Sequence, residues 1–304
     1  MVDRAPPRDI GRTIMITFAD LELTDVRPLT GGVSGATVVR ARWSDRDVVV
    51  KRTSRSELVA LRLFAELGEP LLPRLLASGT DEAGPWVVIP FHHGQPVDIM
   101  AELPDPVHRC LGRLHARFAG NTARLGDDLE VIDSAFLERA LTEFGPEQLG
   151  RARSVLGPAS YARASRLLDR LAGDTRFRAA VEQFTPTVVH GDLYGLNVLQ
   201  PAGPESEPLI IDWNAARVGP AMFDVAMTSD YDSPARRAHD RGWAEIAGSP
   251  PDPDENAQAH AWSSALINAM YAGTVAIRSS GPDAVGMIVK AEVAVCTFHR
   301  LARS

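Results

Sequence analysis

The sequence predicts an α+β fold of two lobes: a small β-rich lobe over residues 1–91 and a larger helical lobe over residues 92–304. Short β-prone runs separated by turn residues fill the first part. Apolar residues at i, i+3, i+4 spacing fill most of the second. Two apolar β runs interrupt those helices, Thr187-Val188-Val189 and Leu209-Ile210-Ile211, and each leads directly into the most polar motifs of the chain.

In order, Asp25-Val26-Arg27-Pro28-Leu29, 36–43 and 47–52 read as strands, the last two joined by a Ser44-Asp45-Arg46 turn. Leu58, Leu61, Leu63, Phe64 and Leu67 then recur at helical spacing, with Ser56 placed to cap. A hairpin follows: Leu75 to Ser78, a turn from Gly79 to Gly84, and the strand Trp86-Val87-Val88-Ile89. Pro90-Phe91-His92-His93-Gly94 breaks the pattern and marks a hinge between the lobes. Helices are expected over 107–118, 133–144, 157–171, 234–247, 255–277 and 283–302, the last three separated by Pro-rich 250–253 and by Gly281-Pro282. Trp262, Leu266 and Met270, at i, i+4, i+8, read as core, and Asp254 is well placed as the cap of its helix.

Composition narrows the function. A net charge of −7 argues against nucleic acid, whose binders present a basic surface. No apolar run approaches the roughly 20 residues that span a bilayer, and Met1 to Asp20 lacks the apolar stretch of a signal peptide. A cytoplasmic protein without membrane or nucleic-acid partners is expected. Cys110 and Cys296 lie far apart and read as small core residues rather than a disulfide or metal pair. Of 32 Lys+Arg, only Lys51 and Lys290 are lysine. Lys51 closes the strand Asp47-Val48-Val49-Val50-Lys51, where a compact point charge does what an arginine fork cannot.

The strongest chemical signal is His190-Gly191-Asp192-Leu193-Tyr194-Gly195-Leu196-Asn197, followed by Ile211-Asp212-Trp213. A carboxylate, an amide five residues on and a second carboxylate after a β run is the set that phosphoryl transfer requires. The first accepts the proton of an attacking hydroxyl, and the other two hold Mg²⁺ through hard oxygen ligands. The pattern H-G-D-x-x-x-x-N with I-D-W downstream resembles the aminoglycoside phosphotransferase and choline kinase family, which shares the protein-kinase-like fold. Further matches fall in the family's order from about residue 25 to 228: Thr30-Gly31-Gly32-Val33-Ser34-Gly35, then Lys51 and Glu57, then Leu111-Gly112-Arg113-Leu114-His115, then Gly219-Pro220-Ala221-Met222-Phe223-Asp224-Val225-Ala226.

The resemblance implies a role for each residue. Asp192 is the catalytic base, and Asn197 and Asp212 bind Mg²⁺. Lys51, held by Glu57, contacts the phosphates of ATP (or GTP), which Gly32, Ser34 and their neighbours cover. Ile89 to Phe91 present backbone groups to the base. His190 buttresses the loop and Asp224 ties it to the following helix. Asp230, Asp232 and Glu255 are read as contacts to ammonium groups of the substrate, although each also suits a cap or a solvated surface. Gly191 stands where many protein kinases have Arg, and no A-P-E-like segment follows Asp212, so a protein substrate is not expected. The acceptor is expected to be a small, amine-bearing molecule, first of all an aminoglycoside or basic peptide antibiotic, which would make the chain a resistance enzyme. A metabolic kinase for choline, homoserine or a sugar is the alternative. A non-catalytic nucleotide-binding pseudokinase is the other, disfavoured because every catalytic residue type is present.

Overall fold

The computed structural model describes residues 18–29, 38–99, 101–121, 125, 128–201, 203 and 207–303. They form two compact units, one of the described residues through Ser54 with Leu75–Phe91, the other of Arg55–Arg74 with the described residues from His92 onward.

The first unit is an antiparallel sheet of β1 (Leu23–Pro28), β2 (Val38–Trp43), β3 (Arg46–Arg52), β4 (Ala77–Asp81) and β5 (Gly84–Pro90), ordered β1-β2-β3-β5-β4. Alternation along the central strand β3 sets its inner face: Val48 and Val50 are fully buried with Ala41, Trp86 and Val88. Lys51 is out of phase with them and so lies on the opposite face, between Val38 and Val87 in the ladder. The far edge is fastened by Asp81, which pairs with Arg52 and accepts the Phe18 N–H at 3.3 Å. At the end of β5 the Phe91 N–H donates to the Asp47 carbonyl at 2.9 Å, and the Arg40 guanidinium lies 4.0 Å over the Phe91 ring.

The second unit is mainly helical: α1 (Arg55–Ala65), α2 (Asp105–Phe118), α3 (Ser134–Arg139), α4 (Gly145–Gly173), α5 (Thr175–Ala180), α6 (Met222–Thr228), α7 (Pro234–Ala247), α8 (Pro253–Arg278) and α9 (Gly281–Leu301). Two small sheets cross it, β10 (Leu209–Ile210) with β9 (Val198–Pro201) and β6 (Gly94–Pro96), and β7 (Glu130–Val131) with β11 (Arg217–Pro220) and β8 (Pro186–Val189). Its core lies where α4, α8 and α9 meet. Trp262, Leu266 and Met270 are buried there as their spacing predicts, with Trp262 stacked on Phe177 at 5.4 Å and its Nε1–H donated to the Phe177 carbonyl.

Several boundaries differ from the sequence expectation, for physical reasons. Segment 55–74 groups with the helical unit rather than with the sheet: Phe64 stands edge-on to Trp213 at 4.4 Å, and the Leu71 carbonyl accepts the Ile210 N–H. The helix expected at 133–144 divides into α3 and a π-helical turn, Ala140–Phe144. The expected start at 157 is instead a break inside α4, where Gly157 takes φ 72° ahead of Pro158. Asp252, not Asp254, caps α8, accepting the N–H groups of Asp254 and Glu255 at 2.9 Å, because Pro253 opens the helix two residues earlier. Cys110 is buried but Cys296 is exposed, so only the first is a core residue. Among the described residues no helix is long and apolar enough to cross a membrane.

Helices α2 and α7 approach through glycine. A Cβ on Gly112 would fall 2.0 Å from the His239 carbonyl, and one on Gly242 would fall 1.9 Å from that of Arg109. Gly242→Ala is therefore expected to push the helices apart at a cost of about 1–3 kcal/mol, which lowers Tm by several degrees. Gly150, with open space around it on α4, is the control: Gly150→Ala removes helix-disfavouring freedom and is expected to hold or raise Tm in the same melt.

Candidate active site

The polar block between β8 and β9 is a tight loop held from three sides. β8 ends in Val188 and Val189, both fully buried, which fixes where His190 enters. Gly191 then takes φ 79°, and a Cβ there would sit 2.3 Å from the Ala215 carbonyl, so only glycine permits the turn. Below the loop, the fully buried Asp224 of α6 accepts the His190 N–H at 2.7 Å and the Gly191 N–H at 2.9 Å. His115 of α2 adds a third bond, its Nε2 lying 3.2 Å from the same carboxylate. Burial opposes ionisation of Asp224, yet these donors outweigh it and hold its carboxyl below the ordinary range.

His190 is locked by its own bonds. Its Nδ1 accepts the Asp192 N–H at 3.3 Å, so the ring proton sits on Nε2, which donates to the Ile211 carbonyl at 2.9 Å. The imidazole lies against Trp213, 4.6 Å between centroids. It thus ties the Asp192 loop to the strand end that carries Asp212, which is a buttressing position rather than a chemical one.

Asp192, half-buried, projects from this frame. Burial pushes its carboxyl above the usual carboxylate range, the neighbouring Asp212 carboxylate adds to the push, and the Arg217 and Arg278 guanidiniums oppose it. Asn197 closes the loop by donating Nδ2–H to the Asp192 carbonyl at 2.7 Å. That bond commits the amide nitrogen and leaves the oxygen for a cation. Asp212 takes a left-handed conformation, φ 63° and ψ 59°, uncommon outside glycine and tolerated by Asp. The Asn214 amide donates to its Oδ1, and Glu57 of α1 receives the Trp213 N–H at 3.2 Å, steadying the turn that aims Asp212. One carboxylate and one amide oxygen, with further ligands from phosphate and water, is a donor set that suits Mg²⁺.

Around Asp192 lie residues to which the sequence assigned no role. Tyr194 and Tyr271 both have phenols pushed up by burial, Tyr271 to about 12, and the Asp192 carboxylate acts on each. Tyr271 stands edge-on to Phe144 at 5.6 Å, the last residue of the π-helical turn, a device that often re-aims side chains at functional sites. Arg217 is held between the Ala215 carbonyl, the Phe136 ring and Glu130. The one signal available in the sequence was the seven-residue spacing of Tyr271 and Arg278, which puts them on one face of α8.

The acidic residues expected to meet substrate each have partners of their own. Asp230 is 87% exposed and pairs loosely with Lys290 at 3.8 Å. The Asp232 carbonyl accepts from Arg237 on the loop that opens α7. Glu255 accepts the Thr185 N–H at 2.6 Å. It lies at the start of α8, about 24 Å along the helix from Tyr271 at ~1.5 Å per residue. In the sheet unit, the Phe91 N–H is already donated to Asp47, which removes it from the donors expected for a base, while Ile89 is buried on β5. Gly32 and Ser34 lie outside the described residues.

Comparison with known proteins places this arrangement. The chain is similar in fold to a spectinomycin phosphotransferase solved with ADP and spectinomycin, at 14% identity and a TM-score of 0.57, covering 90% of this chain and 92% of that one. It is likewise similar to a variant of aminoglycoside 2'-phosphotransferase IIIa solved with GDP (18% identity, TM-score 0.54, 93% and 94% covered). A choline kinase from Streptococcus pneumoniae gives 18% identity and a TM-score of 0.51, with 94% and 96% covered. These likenesses establish the protein-kinase-like fold. No curated protein sequence matches the chain. The model of the phosphotransferase enzyme family matches residues 25–258, well over half of the sequence, with the whole Asp192 to Asp224 frame inside the match, and the chain belongs to that family.

Proposed function

We propose that the protein transfers the γ-phosphoryl group of a nucleoside triphosphate, ATP or GTP, to a hydroxyl of a small molecule. The observation that carries this reading is the loop itself: Asp192, with its carboxyl raised by burial, stands beside Asn197 and Asp212 on a frame fixed by Asp224 and His190. Asp192 orients the acceptor hydroxyl and takes its proton as the new P–O bond forms, a contribution worth about 10²–10⁴-fold in rate. Asn197 and Asp212 would hold Mg²⁺, which when bound neutralises charge on phosphate oxygens. Lys51 contacts the phosphates, Gly32 and Ser34 cover them, and Ile89 and Phe91 border the base, with Phe91 contributing through its carbonyl and ring.

For the acceptor, the first reading is an antibiotic, in keeping with the spectinomycin and aminoglycoside enzymes of similar fold. A second reading, a metabolite without a high positive charge, is favoured by the surroundings of Asp192. Two guanidiniums, Arg217 and Arg278, act on that carboxylate, and the tyrosine–phenylalanine wall offers ring stacking rather than anionic groups. Purified protein with Mg²⁺ and ATP, assayed by product mass against cationic antibiotics, choline, homoserine and amino sugars, separates the readings. Addition of one phosphate to an antibiotic supports the first, and a hit confined to metabolites supports the second. Transfer to a generic protein substrate, with none to small molecules, would overturn both.

The base role carries a pH signature. Asp192 must be ionised to accept a proton, so kcat/KM falls as pH drops through its folded-state pKa. Because burial raises that pKa, the acid limb is expected above the value near 3.9 of an ordinary aspartate. A limb at or below about 4 in the measured profile would contradict the burial of this carboxyl.

A further inference from the structure

Beneath the catalytic loop, the hydrogen-bonded frame does not stop at His115. Helix α7 contributes His239, fully buried, whose Nε2 lies 2.9 Å from His115 Nδ1, with the two rings 5.2 Å apart between centroids. The close glycine contacts at Gly112 and Gly242 set α7 at this distance from α2. The bonds therefore run without a gap from α7 to α2, from α2 to Asp224 of α6, and from Asp224 to the two backbone N–H groups that precede Asp192.

The direction of each bond follows from chemistry. Asp224 is held as an anion and accepts, so His115 presents Nε2–H to it. With its single ring proton on Nε2, His115 presents at Nδ1 a lone pair that a donor 2.9 Å away meets. Burial pushes the His239 pKa down to about 4, so it is neutral and carries one ring proton. That proton belongs on Nε2, facing His115. The competing acceptor on the Nδ1 side, Asp240 Oδ1, lies farther off at 3.5 Å and is shared with Arg236, whereas His115 Nδ1 lies 2.9 Å from Nε2. The remaining nearby histidine, His108, is likewise held neutral by burial, with its pKa near 4.

We propose that His239 is a positioning residue for phosphoryl transfer: its Nε2–H occupies His115 Nδ1, keeps the His115 proton on Nε2 facing Asp224, and so holds the Asp192 loop on one carboxylate. Without that donor, His115 is free to place its proton on Nδ1. A lone pair then faces the Asp224 carboxylate, and the anion that gathers the His190 and Gly191 N–H groups loses a bond. The inference rests on the phosphotransferase reading for its effect on rate, but not for its effect on His115.

The test pairs His239→Leu, which removes the donor, with His239→Gln, whose amide N–H reaches the place of Nε2. The imidazole ¹⁵N spectrum of His115 is read in ¹⁵N-histidine-labelled protein and assigned by its absence in His115→Gln. MgATP turnover is measured alongside, with water or the identified acceptor as phosphoryl acceptor. His239→Leu is expected to shift His115 away from the Nε2–H pattern and to lower kcat by about tenfold to a hundredfold, with the KM for MgATP unmoved. His239→Gln is expected to restore both the pattern and most of kcat. If His239→Leu does not fold, His239→Asn, whose amide falls at the Nδ1 place and misses His115, takes its position against His239→Gln. An unchanged His115 pattern in the donor-less variant, or equal loss of kcat in the Gln variant, would overturn the proposal. Wild-type protein that turns over no ATP, with His115 still responding to position 239, would overturn the phosphotransferase reading and the claim on rate while sustaining the tautomer lock.

Discussion

Replacing Asp192 by asparagine is expected to cut phosphoryl transfer by about 10²–10⁴-fold while leaving Tm at neutral pH unchanged or raised. The two halves of this expectation share one cause. In the folded chain the Asp192 carboxyl is pushed up by burial and by the Asp212 carboxylate, so the fold favours its neutral form. A carboxyl with a raised folded-state pKa costs stability at every pH above that pKa, and the cost disappears only as pH falls below the unfolded value of about 3.9. Asparagine has nearly the same shape, needs no charge and carries no such cost. It also leaves untouched the backbone bonds that anchor the loop, since the Asp192 N–H reaches His190 and its carbonyl receives Asn197. Steady-state kinetics with a thermal melt on the same sample checks both. Activity within tenfold of wild type would remove Asp192 from the chemistry. A large fall in Tm would show that the carboxylate stabilises the fold instead of straining it.

How far the sequence announced this site depends on what kind of residue is asked about. The elements that position Asp192 were legible because their signals are local. The apolar runs ending at Val189 and Ile211 meet polar residues at a sharp edge, and α7 appears at 234–247 from spacing alone, as the fold has it. Asn197 and Asp212 were legible as the pair proposed to hold Mg²⁺, because that role calls for hard oxygen donors at such positions. The residues that other elements bring near Asp192 were not. Tyr271 and Phe144 come together through the packing of α8 against a π-helical turn, and apart from the spacing of Tyr271 and Arg278 nothing in either segment announces it. The acidic residues Asp230, Asp232 and Glu255 stood out in the sequence as substrate contacts. Glu255 instead accepts a backbone N–H, and Asp230 stands in solvent with a loose partner. The exchange of Asp254 for Asp252 as cap is smaller in kind: a two-residue ambiguity that an isolated Pro-Asp-Pro-Asp run cannot resolve, because either aspartate precedes helical residues.

Removing Asp224 should be more damaging to the fold than removing Asp192, although it touches no substrate. Asp224→Ala leaves three buried donors without an acceptor: the His190 N–H, the Gly191 N–H and His115 Nε2. Each unsatisfied group costs about 1–3 kcal/mol, a large share of the roughly 5–15 kcal/mol that holds a domain together. Asp224→Asn repairs this only in part: its oxygen can keep the His190 N–H and His115 Nε2, but its amide nitrogen then faces the Gly191 N–H, donor against donor. Both variants are expected to melt far below wild type and to lose activity through the loop rather than through binding. The pH dependence identifies the cause. The folded-state pKa of Asp224 is lowered, so its contribution is complete above the unfolded value of about 3.9 and fades as pH falls through the folded one. The gap in Tm between wild type and Asp224→Ala should therefore be constant from neutral pH down to about 5 and narrow only below about 4. A gap that instead widened as pH fell through the histidine range, near 6, would assign the stabilisation to an ion pair with a charged ring. The carboxylate would then be answering an imidazolium rather than gathering two peptide N–H groups and a neutral ring.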